Sequence, residues 1–364
     1  MKVIVQKYGG SSVSDIPSIQ RVAARIVAAV DQGWRVVVVV SAMGNTTNEL
    51  LRLAKEVSPE PKRRELDLLI SVGERVSMTL LAMAVQQLGY DARSFTGSQS
   101  GIITDNRHAA ARIIEVRPSR IQKALESGSV AIVAGFQGMS LSKEVTTLGR
   151  GGSDASAVAL AAALNAEFCE ICSDVDGVYS ADPRRVSDAF RHDDIDIETV
   201  LTAAQRGAKV LQAEALLLAQ KMGIKLRANA TVNPSGQGTL ITPEPQPGAL
   251  MVALENQVAW LVSDESSVLE TFGPHLLYAT ESPSGFGLLI RTTNFHGQLP
   301  ENANQTVALL TMLSRRSSVF QALSWLQIQT NVLGWWHSDN GLSVIIESEN
   351  ADYLQSKVHE LLVS

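Results

Sequence analysis

Lys7 stands at the end of a short β-type run and is followed at once by Gly9, Gly10 and Ser11 in "KYGGSSV". Glycines let backbone N–H groups approach phosphate oxygens closely, and a lysine beside them supplies a positive charge. A second loop, "TTLGRGGSDAS", combines Gly-rich backbone, the cation of Arg150, the hydroxyl of Ser153 and the carboxylate of Asp154 just where a helix begins. Three more polar loops contain glycine: "SAMGNTTNEL" with Ser41 and Thr47, "GFQGM", and "SDVDGVYSADPR" with Ser173, Asp174, Tyr179, Asp182 and Arg184. Any one of them reads equally well as a tight turn. Five of them, each placed after an apolar strand-like run or before a helix, point to an anion-binding edge.

Other chemistries are excluded by spacing. There is no G-x-x-x-x-G-K-[ST] and no G-x-G-x-x-G, so neither the P-loop nor the dinucleotide fingerprint is present. Reading "DVDG" as a calcium loop with Gly177 at the sixth position puts Cys172 first and Pro183 twelfth, and proline cannot ligate. Cys169 and Cys172 form a C-x-x-C, but "FCEIC" reads as a strand, on which residues three apart face opposite ways. Six scattered histidines give no metal cluster and no Ser/His/Asp arrangement.

The elements that must position these loops follow from periodicity. "VIVQ", "RVVVVVSAMG", "VAIVAGFQG", "FCEICSDVDGV" and "IKLRANA" read as strands. "SIQRVAARIVAAV" repeats apolar residues at i, i+3 and i+4 behind the start signals Asp15 and Pro17. "LISVGERVSMTLLAMAVQQLG" and "SDASAVALAAALNA" read as further helices. Such alternation predicts an α/β fold, a mostly parallel sheet sandwiched by helices, over residues 1–242. The proline-rich "TPEPQPGA" marks a linker at 243–249, and residues 250–364 read as a smaller α+β domain whose halves have the look of worn copies of one module. A net charge of −6 with no Lys/Arg stripe argues against a nucleic-acid partner. No apolar run reaches spanning length and no leader pattern opens the chain, so no membrane partner is expected and a cytoplasmic location is.

In combination the loops resemble the amino-acid kinase family, and within it the aspartate kinases. The matching segments run in that family's order: "VQKYGGSSV", "VVVVVSAMGNTTNELL", "SVGERVS", "SFTGSQSGIIT", "VAIVAGFQG", "VTTLGRGGSDASAVALAAALNA", "CEICSDVDGVYSADPR" and "GAKVL". The resemblance implies ATP and Mg²⁺ as cofactors and L-aspartate as acceptor, its side-chain carboxylate becoming L-4-aspartyl phosphate. It implies that Lys7 neutralises the transferred phosphoryl group, cradled by Gly9, Gly10 and Ser11, with Asp154 either orienting Lys7 or capping its helix. Glu74 would pair the substrate ammonium and Arg150 would grip a carboxylate, with Ser41, Thr47 and Ser153 as hydroxyl donors. Ser173, Asp174, Tyr179, Asp182, Arg184 and Lys209 correspond to nucleotide contacts, although Asp182-Pro183 also fits a simple turn. Mg²⁺ would ride on the phosphates, so no protein metal site is expected.

Departures from the family pattern are Ala155 for Thr, Cys172 for Tyr, Glu214 near a usual basic position, and no second arginine after Arg227. The C-terminal part resembles a degenerate ACT-like region: residues 305–364 read as one module and 250–295 as a fragment of another. "SRRSSVF" stands where an effector loop is usual. Lysine and threonine feedback is therefore expected to be lost or altered, with the region kept as a homodimer surface into which Trp335 and Trp336 could bury. Two other readings stand beside aspartate kinase: a kinase of another small amino or carboxylic acid, and a silent amino-acid-binding regulatory subunit.

Overall fold

The computed structural model describes residues 2–208, 210–232, 236, 238–245, 249–263, 276–282, 285–292, 299, 303–314, 318–330, 332–338 and 341–363. The chain forms two units.

The first unit holds Met1–Val178, Asp193–Val200 and Val210–Pro245. Its main sheet contains β1 (Val3–Tyr8), β2 (Arg35–Val40), β3 (Ala92–Phe95), β6 (Val130–Ala134), β9 (Cys169–Ser173), β10 (Asp194–Asp196), β11 (Leu226–Ala230) and β12 (Thr239–Thr242). The strand order is β10-β12-β11-β9-β1-β2-β6-β3, parallel from β11 to β3, with β12 antiparallel to β11. Strand β2 is apolar and buried from Val36 to Val40 because both of its faces are covered there. Helices α1 (Ile16–Asp31) and α4 (Val72–Gln87) bury Ile19, Val22, Ile26, Met78, Leu81 and Val85 on one face. Helix α6 (Gly152–Ala163), made of small residues, packs against β1, β2 and β9. The predicted start of α1 is present: the Asp15 carboxylate accepts from the Ser18 N–H at 2.8 Å, with Pro17 in the first turn.

Two sequence expectations change here. "VAIVAGFQG" is not one strand, because β6 stops at Ala134 and Phe136 turns the chain at φ +66°. The chain then enters β7 (Gln137–Ser140), part of a second sheet of order β5-β4-β7-β8. That sheet is completed by β4 (Ile102–Thr104), β5 (Ile113–Val116) and β8 (Val145–Thr147). The helix expected from Leu69 begins later, as α4 at Val72, with a separate helix α3 (Arg63–Ile70) ending just before Ser71. Arg63–Gln87 is long and apolar enough to pass for a membrane span by composition, contrary to the expectation from the sequence. Glu74 buried within it, and α4 packed on α1 and β6, mark a core helix. The remaining helices α2 (Thr46–Val57), α5 (Ser119–Glu126), α7 (Ile197–Gln205) and α8 (Ala213–Met222) connect these strands.

The second unit holds Tyr179–His192, Leu201–Lys209 and Gln246–Ser364, so the division falls within the proline-rich 243–249 stretch but two earlier segments also join the second unit. Ala181 and Val186 belong to the second unit's core, and the His192 imidazole lies 2.8 Å from the Leu250 carbonyl oxygen. Its antiparallel sheet runs β14-β15-β13-β16-β18-β17, formed by β13 (Met251–Ser263), β14 (Leu276–Ser282), β15 (Gly285–Arg291), β16 (Asn304–Leu313), β17 (Val332–Ser338) and β18 (Gly341–Glu347). Each half contributes its first strand to the centre, its third next and its second at the rim, so the sheet repeats itself about the β13–β16 pair. Helices α9 (Ser318–Gln329) and α10 (Ala351–Val363) cover Ala308, Leu310, Val344 and Ile346 on one face. On the other, Trp336 stacks on Tyr278 at 4.1 Å with Arg206 over it at 5.0 Å, so Trp336 is already engaged within the unit, while Trp335 is exposed. The "SRRSSVF" stretch includes residues 315–317, which lie outside the described residues.

Candidate active site

Parallel pairing brings the expected loops to one edge. Tyr8 is in register with Val40 and with Cys172, and Val40 with Ala134, so the segments after β1, β2, β6 and β9 leave the sheet side by side. Odd-numbered residues of β1 point toward α6, which places the Lys7 Nζ 2.6 Å from Asp154 Oδ1 in the first turn of that helix. Both side chains are largely buried. Asp154 is not the cap; Gly151 is, in the left-handed region at φ +68°. A Cβ on Gly9 would lie 3.5 Å from Lys7 Nζ, so the ammonium hangs directly over the glycine backbone. Gly10 begins a 3₁₀ turn (Gly10–Val13), and a Cβ there would meet the Ala42 carbonyl at 2.9 Å; only glycine lets the two loops touch. Ser11, in the same turn, is exposed.

Glu74 comes from the first turn of α4. Gly73 allows that helix end to press on the loop after β2, because a Cβ would stand 2.7 Å from the Ala42 Cβ. The Glu74 Oε1 accepts the Ala42 N–H at 3.2 Å, and Oε2 is buried with no hydrogen-bond partner. Burial pushes this carboxyl up to about 7, against the two backbone hydrogen bonds that lower it. Ser41 lies in the same loop, its carbonyl held by the Ser77 hydroxyl at 2.7 Å, and Thr47 lies in the first turn of α2. Ser153 is buried beneath Gly135, where a Cβ would approach its Cβ to 2.9 Å. Arg150 is exposed in the turn between β8 and α6.

Of the expected nucleotide contacts, Ser173 ends β9 and Asp174 follows it at this edge; the Ser173 hydroxyl accepts the Val175 N–H at 3.1 Å. Tyr179, Asp182 and Arg184 belong to the second unit. There Arg184 clasps Asp182 with two hydrogen bonds of 3.0 and 2.9 Å, holding its carboxyl below the usual range. Lys209 lies outside the described residues. The two cysteines are free, buried and on opposite faces, Cys169 toward Asp154 and Lys7 and Cys172 toward Tyr8; burial raises both thiols.

A profile of the amino acid kinase family matches residues 2–227. The chain belongs to that family. Aspartokinase of Mycobacterium tuberculosis is 56% identical over 232 residues, which make up 64% of this chain and 55% of the relative. That of Corynebacterium glutamicum is 52% identical over 242 residues, 66% and 57%. The chain thus matches little more than half the length of these curated relatives. Among solved structures, aspartate kinase from Synechocystis is 30% identical with a TM-score of 0.61, covering 98% of this chain and 69% of the other. E. coli aspartokinase III in complex with aspartate and ADP has a TM-score of 0.81 at 23% identity, with both chains fully covered, and shows the fold.

Three features of this chain had no reading in the sequence. Arg25 of α1 reaches Glu170 at 2.9 Å, which also accepts from Gln6 and Asn229, forming a buried polar knot behind β1. The Ser12 hydroxyl meets that of Thr231 at 2.7 Å, fastening the glycine loop to the end of β11. In the second unit the Ser180 hydroxyl lies 2.8 Å from His359 Nε2, whose Nδ1 is 3.3 Å from Asp188. Ser180 and His359 are fully buried, so this Ser/His/Asp set ties the 179–192 segment to α10 and offers no nucleophile to solvent.

Proposed function

We propose that this chain phosphorylates the side-chain carboxylate of L-aspartate from ATP. The observation that carries the reading is one edge holding both a lysine over a glycine loop and a buried, unpartnered glutamate oxygen. The first is a cradle for a phosphoryl group and the second a seat for an ammonium. Lys7, steered by Asp154, faces the charge that develops on the transferring group, and Gly9 and Gly10 leave room for its oxygens. The acceptor's carboxylate oxygen attacks phosphorus, the bond to the ADP oxygen breaks, and an acyl phosphate forms. No proton moves, because that carboxylate is ionised at neutral pH. Glu74 takes the acceptor's ammonium, Arg150 its other carboxylate, and Ser41, Thr47 and Ser153 provide hydroxyls at the same edge. Ser173, Asp174, Tyr179, Arg184 and Lys209 serve the nucleotide, while Asp182 shapes the loop that carries Arg184.

Among the described residues no three His, Cys, Asp or Glu side chains converge. A Mg²⁺ carried on the nucleotide phosphates and completed by water would need few protein ligands and would neutralise charge between the phosphates. The likeness to aspartokinases, 56% identity over 232 residues with the Mycobacterium tuberculosis protein, supports aspartate over another acid. We further infer a homodimer through the second unit, with lysine and threonine control lost or altered. The test is to incubate the protein with MgATP and L-aspartate and trap acyl phosphate with hydroxylamine. Hydroxamate with aspartate but not with L-glutamate is expected; ADP release only with a different acid would move the reading to that acid.

A further inference from the structure

Asp67 is fully buried in α3 and takes no part in the edge described above. Its Oδ1 accepts the Thr147 hydroxyl at 2.6 Å and the Ala109 N–H at 3.1 Å. Its Oδ2 lies 2.7 Å from His108 Nδ1, which must be the donor since a carboxylate only accepts. Ala109 is held in the left-handed region at φ +69°, a conformation an alanine adopts only when its surroundings enforce it. The Ala111 N–H donates to the Thr147 carbonyl at 2.9 Å. Residues 108–111 therefore form a shelf bound both to Asp67 and to the last residue of β8.

The next residues of the chain rest on that shelf. A Cβ on Gly149 would lie 3.5 Å from the Ala109 carbonyl oxygen and 3.8 Å from the Ala110 Cα. Gly149 and Gly151, both at positive φ, bracket Arg150, and the Gly152 N–H closes the turn on the Gly149 carbonyl at 3.1 Å. Asp67 thus fixes both the root of the Arg150 turn and the surface beneath it. We propose that Asp67 is a positioning residue that, through Thr147 and the 108–111 shelf, sets the Arg150 turn and with it the affinity for the carboxylate-bearing acceptor. The second half of the proposal rests on the reading of Arg150 given under Proposed function.

The test compares Thr147→Val, which keeps shape and removes one donor, with Thr147→Ser, which restores it, and with Asp67→Asn. Amide hydrogen exchange at residues 148–152 is expected to quicken about tenfold in T147V and D67N and to return to the wild-type rate in T147S. In the hydroxamate assay, KM for aspartate should rise about tenfold in T147V while KM for MgATP stays within twofold. Unchanged exchange at 148–152 overturns the proposal, as does a rise of both KM values together. Should the wild-type protein form no aspartyl hydroxamate, the reading of Arg150 falls, while the exchange measurement still decides the role of Asp67.

Discussion

At the scale of single residues, charge placement makes the sharpest predictions. Lys7→Met removes the side-chain cation assigned to the phosphoryl group, and kcat in the hydroxamate assay should fall at least about a hundredfold; the melting temperature should fall as well, because the buried Asp154 loses its partner. A variant with unchanged turnover would refute the mechanism. Glu74 makes a prediction about stability as well as binding. Its carboxyl titrates near 7 in the folded chain against a usual 4.5, so the native state holds a proton that the unfolded chain has lost. Between those values stability falls as pH rises, by roughly 3 kcal/mol in total. Glu74→Gln should therefore melt above the wild type at pH 8 and level with it near pH 4, while losing aspartate affinity. The placing of Lys7 over Gly9 was legible in the sequence, because a lysine followed by glycines has few structural uses, whereas Glu74, in the first turn of a helix, entered only through the resemblance to aspartate kinases. Asp67 was not legible, since its partners lie 41 and 80 residues away and nothing local to "RELDLLI" foretells them. Its one trace is a carboxylate three positions before Ile70 on the buried side of α3.

At the scale of elements, helix ends are docked onto strand ends by glycines. Gly135→Ala would drive a Cβ to 2.9 Å from both Ser153 Cβ and Val39 Cγ1, where neither neighbour is a flexible tip. The start of α6 should shift, costing about 1–3 kcal/mol in chemical denaturation and more in kcat than in KM, because Asp154 moves off Lys7. The strands and α1 were readable from apolar runs and 3.6-residue periodicity. The glycines of "GFQGM" marked a turn after β6, but not that the chain there enters a second sheet, since it is Phe136 and not a glycine that adopts the positive φ. Nor could periodicity assign the 179–192 segment to the second unit. That depends on single long-range bonds, such as the hydroxyl of Ser180 to His359, 179 residues later. His359→Ala should loosen this segment, speeding its cleavage by a protease that cuts at arginine, with Arg184 and Arg185 as the new sites.

At the scale of the whole molecule, the second unit is where control would reside. Millimolar lysine or threonine should change the rate of hydroxamate formation by less than about twofold; stronger inhibition would return the usual feedback to this chain. Its sheet carries one more implication. Because β13 and β16 are the first strands of two like halves and pair with each other antiparallel, the unit is built as a dimer would be, with the two subunits joined in one polypeptide. Cut apart, each half would bare a long apolar strand edge at the former centre. A peptide of residues 303–363 is accordingly expected to sediment as a symmetric pair, restoring from two identical copies the seam that the intact chain makes from two diverged ones.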